Sequence, residues 1–192
     1  MEFLIVGIAS YLMGSIPFGL ILTKIFLKKD IRDIGSGNIG ATNVLRTGNK
    51  LIGYLTLVLD ITKAIIPVIY VKINFPELIY IASLSAFLGH VFPIWLKFKG
   101  GKGVATYVGI LFSINILLGI VFILSWIIIF LLSKYSYLSS IVASLSVPVY
   151  LLIKGNIDTV IFFIIMFVLI FFTHRENIKR LKNKEESKSK IY

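Results

Sequence analysis

Two polar, glycine-rich stretches interrupt an otherwise apolar chain, and each carries a cation placed where an anion would be held. The first reads Gly35-Ser36-Gly37-Asn38-Ile39-Gly40-Ala41-Thr42-Asn43-Val44-Leu45-Arg46. Its glycines let the backbone turn so that several N–H groups converge on an oxyanion. Ser36, Asn38, Thr42 and Asn43 add short hydrogen-bonding side chains, and Arg46 adds a planar fork that matches phosphate. Gly35, Gly37 and Gly40 satisfy G-x-G-x-x-G, but a dinucleotide fingerprint must follow a strand within a βαβ unit. Here an apolar segment and a basic linker precede it, which excludes that reading. A plain turn between helices would account for the glycines, but not for so many small polar residues ahead of an arginine.

The second stretch is Lys97-Phe98-Lys99-Gly100-Gly101-Lys102-Gly103-Val104-Ala105-Thr106. Gly103 stands where a Walker motif needs Ser or Thr, so Mg-nucleotide chemistry is not indicated. Gly100, Gly101 and Gly103 around Lys102, opening into a helix, predict a second anion cradle in which the Gly100 and Gly101 amides face the ligand. A stop-transfer charge cluster would explain the lysines but not the glycines between them. A third group is His174 and Asn177, three residues apart and so one turn apart on a helix. An interfacial histidine that is merely solvated is the alternative there. His90, in Gly89-His90-Val91-Phe92-Pro93, fits either a buried structural hydrogen bond or a supporting role. Asp60 and Lys63 lie inside an apolar segment; lipid exposure would cost each about 2.5–3.5 kcal/mol, so they must face other helices, where their spacing permits an ion pair. Ser139 and Ser140 serve either helix packing or the site.

The remaining composition narrows the chemistry. With no cysteine and only two histidines, thiolate catalysis, disulfides and zinc sites are not expected, and no metal or other cofactor is predicted.

These residues need elements to hold them in place, and those elements belong in a bilayer. The 192 residues are 57% hydrophobic and 15% charged, against about 25% charged in soluble domains; mean hydropathy is +0.93. Spans are predicted over about 3–23 (bending at Gly14-Ser15-Ile16-Pro17), 51–71, 78–96, 103–117, 119–134, 138–153 and 157–173, with a tail over 174–192. The uncharged stretch 103–133 is too long for one span, and charge decides for two, turning near Asn115 to Gly119. With seven spans, sixteen of the twenty Lys and Arg residues fall on one side; Lys72 and Lys154 lie on the other, while Lys24 and Lys63 lie within spans. The positive-inside rule then puts the N-terminus outside and the C-terminus in the cytoplasm. Met1-Glu2 before a long apolar run lacks a basic n-region, so the first segment is read as a retained span. The formal charge of +11 is assigned to these loops rather than to nucleic-acid binding, and the basic tail to anionic membrane lipids. The expected fold class is an all-α membrane protein, a seven-transmembrane-helix bundle forming a single domain over 1–192.

That topology gathers four separated segments at the cytoplasmic face, with two anion cradles and a histidine. In Gly14 through Gly19, Ser36 through Arg46, Gly89 through Pro93, Gly100 through Thr106 and His174 through Leu181, the chain resembles the bacterial acyl-phosphate-dependent glycerol-3-phosphate acyltransferases, the PlsY family. The resemblance covers nearly the whole chain. It implies transfer of a fatty acyl group from acyl phosphate to the 1-hydroxyl of glycerol 3-phosphate, giving lysophosphatidate and phosphate for phospholipid biosynthesis at the bacterial inner membrane. It also implies seven helices, and it carries catalytic positions onto Ser36, Arg46, Lys102, Ser139, His174 and Asn177. Phosphate binding would fall to Gly37, Asn38, Gly40, Thr42, Asn43, Gly100, Gly101 and Gly103, with Asp60, Lys63 and His90 supporting. A monomer suffices for this reading. Ala64 and Lys184 stand where that family often has glycine, which bears on packing and the tail. The His-x4-Asp signature of another acyltransferase class is absent: Trp95 and Lys179 stand five residues after the two histidines. The rival class is a transporter for a small organic anion; such folds usually carry internal repeats and a midplane site, and no repeat is visible.

Overall fold

The structure, a computed structural model, describes residues 1–183, which are helical apart from short links, with no strand among them. The tail residues Lys184, Glu186, Lys188 and Lys190 lie outside the described residues. The chain forms two compact units, Met1–Ile114 and Asn115–Tyr192.

In the first unit, α1 (Glu2–Gly14) and α2 (Phe18–Leu27) make one 26-residue apolar segment interrupted where the sequence predicts a bend. Proline disrupts the helical hydrogen-bond ladder there, and the freed groups find other partners. Ser15 Oγ donates to the Leu12 carbonyl and accepts from Trp95 Nε1 at 2.7 Å. The Ile16 carbonyl accepts from Lys63 Nζ at 2.8 Å. A short helix α3 (Ala41–Leu45) lies in the first glycine-rich loop, followed by the 25-residue α4 (Lys50–Asn74), capped by the Asn49 side chain on the Ile52 N–H. α5 (Ile79–Val91) returns beside it, and α6 (Val104–Ile114) follows the second glycine-rich loop.

Small residues set the helix separations, as packing between apolar helices in lipid requires. A Cβ on Gly14 would fall on the Ala86 backbone, and one on Gly89 on the Tyr11 carbonyl, so α1 and α5 touch along their backbones. Gly109 of α6 lies likewise against the Ile61 carbonyl and the Ala64 methyl of α4.

α6 is shorter than the expected span over 103–117. Its 11 residues rise about 16 Å, roughly half of a hydrocarbon core. Two causes are visible. Thr106 Oγ1 reaches the Asp60 carbonyl at 3.5 Å, so α6 starts level with the middle of α4, the preceding loop having folded inward. At the other end Asn115 is extended and its side chain accepts the Leu117 N–H, starting a new helix. The last α6 carbonyls, of Ser113 and Ile114, accept from Lys72 Nζ at 2.8 and 2.9 Å, a cation capping a helix C-terminus.

The second unit comprises α7 (Ile116–Ser133), α8 (Ser136–Ile153), α9 (Ile157–Thr173) and α10 (Arg175–Lys182). α8 packs against both α7 and α9. Its buried face is Ser139, Ser140, Ala143, Ser144 and Val147, at helical spacing, and Trp126 Nε1 donates to Ser140 Oγ at 3.1 Å. α9 buries Phe163, Met166 and Ile170 before a 49° bend into α10. By length and composition, five helical segments among the described residues are able to cross a membrane, or six if the bent α9–α10 pair counts as one. α6 is a further, shorter apolar helix.

Candidate active site

The first glycine-rich loop is built around a buried amide. Asn43 Nδ2 lies 3.1, 2.9 and 2.8 Å from the carbonyls of Ile31, Ile34 and Asn38. Its Oδ1 accepts the Ser36 N–H at 3.0 Å. Asn43 therefore shapes the turn from inside, where spacing alone suggests a ligand donor. Asn38 Oδ1 accepts the Gly40 N–H at 2.8 Å, an Asx turn leading into α3. Gly35 and Gly37 have φ of +58° and +70°, a region open to glycine at little cost. A Cβ on Gly35 would also stand 2.9 Å from Cδ of Arg46, so this glycine seats the arginine stem. Arg46 and Thr42 are exposed and Ser36 half-buried; these three remain open to a ligand.

Apolar residues anchor the loop: Ile31, Ile39 and Val44 are buried in one cluster with Leu20, Leu22 and Ile52. Ion pairing holds its base. Asp30 accepts from Arg32 Nη2 at 2.6 Å and lies 3.3 Å from Lys24 Nζ. The Arg32 guanidinium keeps the Asp30 carboxyl ionised well below the usual carboxylate range, so the clamp persists as pH falls through ordinary acidic values. Lys24 and Asp30 had no place in the predicted site.

The second loop differs from its expected geometry. The Gly100 N–H donates to the Val91 carbonyl and the Gly101 N–H to the His90 carbonyl, each at 3.0 Å. Those amides close the loop onto the last turn of α5 and do not face an anion. The α5 carbonyls lack helical partners beyond Val91, and the glycines supply them. Gly103 has φ of +82° and lies against the Phe87 ring. Lys102, half-buried, is the cation at this turn. Leu96, in the same loop, packs against the cluster that anchors the first loop. Both glycine-rich turns thus lie at one end of the first unit.

Beneath them is a buried polar group. Lys63 Nζ lies 2.8 Å from Asp60 Oδ1, with both side chains 2% exposed, so the predicted ion pair forms. His90 Nδ1 lies 3.8 Å from the same carboxylate oxygen. Such a pair withstands burial only with further hydrogen bonds, one of which is the Ile16 carbonyl freed by the α1–α2 break.

In the second unit, His174 is buried at the α9–α10 corner. Its Nδ1 is 2.8 Å from the Ile170 carbonyl. A carbonyl only accepts, so Nδ1 carries the proton and Nε2 is the basic nitrogen of the neutral ring. Asn177 is buried one turn on, its N–H donating to the His174 carbonyl at 2.9 Å. Ser139 is buried with its hydroxyl on the Tyr135 carbonyl at 2.9 Å. Among the described residues no three His, Asp or Glu side chains group to hold a metal ion.

Comparison with known proteins bears on this arrangement. A family described as glycerol-3-phosphate acyltransferase matches residues 4–184. The glycerol-3-phosphate acyltransferase of Pelagibacter ubique (strain HTCC1062) is 78% identical over 192 residues, all of both chains. That of Brucella canis is 50% identical over 181 residues, covering 94% of this chain and 90% of the relative. Among solved structures, the glycerol 3-phosphate form of PlsY (YgiH), an integral membrane glycerol 3-phosphate acyltransferase, superposes with a TM-score of 0.90 at 38% identity, covering 98% of this chain and 96% of that one. The lysophosphatidic acid form of PlsY gives 0.88 at 37% identity. With its apolar helices, its paired glycine-rich turns and a family match spanning both units, the chain belongs to the glycerol-3-phosphate acyltransferase family.

Proposed function

We propose that the protein moves a fatty acyl group from acyl phosphate to the 1-hydroxyl of glycerol 3-phosphate, releasing lysophosphatidate and inorganic phosphate. The observation that carries this reading is the pairing of two cation-bearing glycine turns at one end of the first unit, tied through Leu96 to one apolar cluster. Two cations suit a reaction in which donor and acceptor each bear a phosphate. The neighbouring PlsY structures, in glycerol 3-phosphate and lysophosphatidic acid forms, support the same acceptor and product.

In this proposal Arg46 and Ser36 hold one phosphate and Lys102 the other, with Asn38, Thr42 and the open amides of the first turn completing its cradle. The acceptor hydroxyl oxygen attacks the carbonyl carbon of the donor. The bond from that carbon to the phosphate oxygen breaks, and phosphate departs with the hydroxyl proton. Attack is direct in this reading, and with no cysteine a thioester intermediate is not available; positioning and electrostatic stabilisation of the leaving phosphate lower the barrier. His174, its ring fixed through Nδ1, and Asn177 orient the acceptor, and Ser139 supports them. Residues 1–192 act as one domain of seven spans in the bacterial inner membrane, the site facing the cytoplasm. The charge asymmetry of the loops supports that orientation.

The test is phosphate release from acyl phosphate by purified protein, with and without glycerol 3-phosphate. Stoichiometric, acceptor-dependent release is expected, falling at least about 100-fold in Arg46→Ala, a loss of roughly 2.7 kcal/mol. Release indifferent to the acceptor, or substrate crossing sealed vesicles unchanged, would overturn the assignment.

A further inference from the structure

Gly101 does not need to be glycine for its own backbone: its φ is not among the positive values that mark Gly35, Gly37 and Gly103. What it lacks room for is a neighbour. A Cβ at Gly101 would be driven into the His90 imidazole, overlapping Nε2 and standing 2.7 Å from Cε1. The same residue accepts the Gly101 N–H through its carbonyl. His90 thus touches the lysine-bearing loop twice, by ring and by backbone, one residue from Lys102. Below the ring, Nδ1 stands 3.8 Å from Asp60 Oδ1, beyond hydrogen-bond distance; Asp60 pairs with Lys63, which reaches the Ile16 carbonyl at the broken first span.

We propose that His90 is a positioning residue: its imidazole is the seat on which Gly100-Gly101 rests, and it sets where Lys102 stands for its phosphate ligand. On this view position 101 is glycine to admit the histidine ring, not to let a phosphate approach the backbone. The inference rests on the reading of Lys102 as a phosphate-binding residue. It predicts a signature that general destabilisation lacks: a second substitution that makes room at His90 relieves the damage done at Gly101.

The experiment is a double-mutant cycle on the full chain in detergent. It reads KM for both substrates, kcat and melting temperature for Gly101→Ala, His90→Ala, the double variant and Lys102→Ala. Gly101→Ala is expected to raise KM about tenfold for whichever substrate Lys102→Ala weakens, with kcat held within about threefold. His90→Ala is expected to raise the same KM. The double variant is expected to show a KM below that of Gly101→Ala alone, because the added methyl occupies the space the ring has left. Independent effects that multiply in the double variant, or a His90→Ala with both KM values unchanged, would overturn the proposal. If Lys102→Ala alters neither KM, the assignment of Lys102 falls instead, and the seat is then decided by whether the double variant restores the melting temperature lost in Gly101→Ala. Should His90→Ala not survive purification, His90→Asn replaces it in the same cycle and is read by the same criteria.

Discussion

Asn43 commits its whole carboxamide to the loop around it. With three carbonyls against Nδ2 and one N–H on Oδ1, it replaces the partners a strand or helix would have given that backbone. Truncation would strip the Asn38 carbonyl and the Ser36 N–H of their partner, while the Ile31 and Ile34 carbonyls keep the N–H groups of Ile34 and Gly37. In a site already closed by Ile31, Ile39 and Val44 this costs about 1–3 kcal/mol for each group left without a partner. Asn43→Ala should therefore lower acceptor-dependent phosphate release by about 100-fold and open the loop to limited proteolysis. Thr42→Ala, next door and exposed, should leave the proteolysis pattern unchanged. Equal protease resistance in Asn43→Ala and the parent would show that the amide does not shape the turn. The sequence makes residue types legible here, since glycines, short polar groups and an arginine announce an anion site. It does not say which of them face the ligand. Asn38, Thr42 and Asn43 look alike in spacing, and only the path of a chain reaching back to Ile31 separates the knot from the open positions. The Gly100 and Gly101 amides were hidden in the same way, because their acceptors, Val91 and His90, lie at the end of another helix.

At the scale of elements, the pairing of Asp60 with Lys63 was readable because i,i+3 spacing is a property of one helix. So was the break at Pro17. The length of α6 was not, because it depends on how deeply the preceding loop enters the bundle. Non-helical backbone at that depth is tolerated only where protein surrounds it, and here α5 carbonyls, Phe87 and His90 do so. The buried pair sits below that loop, which makes its energetics testable. Removing one partner leaves an uncompensated charge, at about 3–5 kcal/mol; exchanging both for apolar residues of similar size is often close to neutral. Asp60→Leu and Lys63→Met should each lower the melting temperature in detergent more than Asp60→Leu/Lys63→Met together. The double variant still loses the hydrogen bond to the Ile16 carbonyl, so it should fall below the parent. A double variant as damaged as the two single losses combined would show that the two charges do not depend on each other.

For the whole molecule, the proposed topology makes a prediction the chain is well suited to test. It contains no cysteine, so single cysteines can be placed without first removing others. Lys50 and Lys99 flank the α4–α5 pair and are exposed, while Glu77 is exposed in the link between those helices. α4 has 25 residues and spans about 37 Å, enough to cross a 30 Å core. Two consecutive spans return the chain to its starting side, so Lys50→Cys and Lys99→Cys should react with a membrane-impermeant maleimide only in inside-out vesicles. Glu77→Cys should react only in right-side-out ones. Lys154→Cys is expected to follow Glu77, and Lys182→Cys to follow Lys50. The second half of that pattern depends on counting α6, only 11 residues long, as a full crossing. α6 runs alongside α4 from the level of Asp60 to that of Lys72, so the chain leaves it at the far end of α4, and the inward-folded loop makes up the missing length. Lys182→Cys reacting with Glu77→Cys would mean that Asn115 is a kink within one span, and that His174 and Asn177 face the compartment opposite Arg46 and Lys102. No common reaction centre would survive that result.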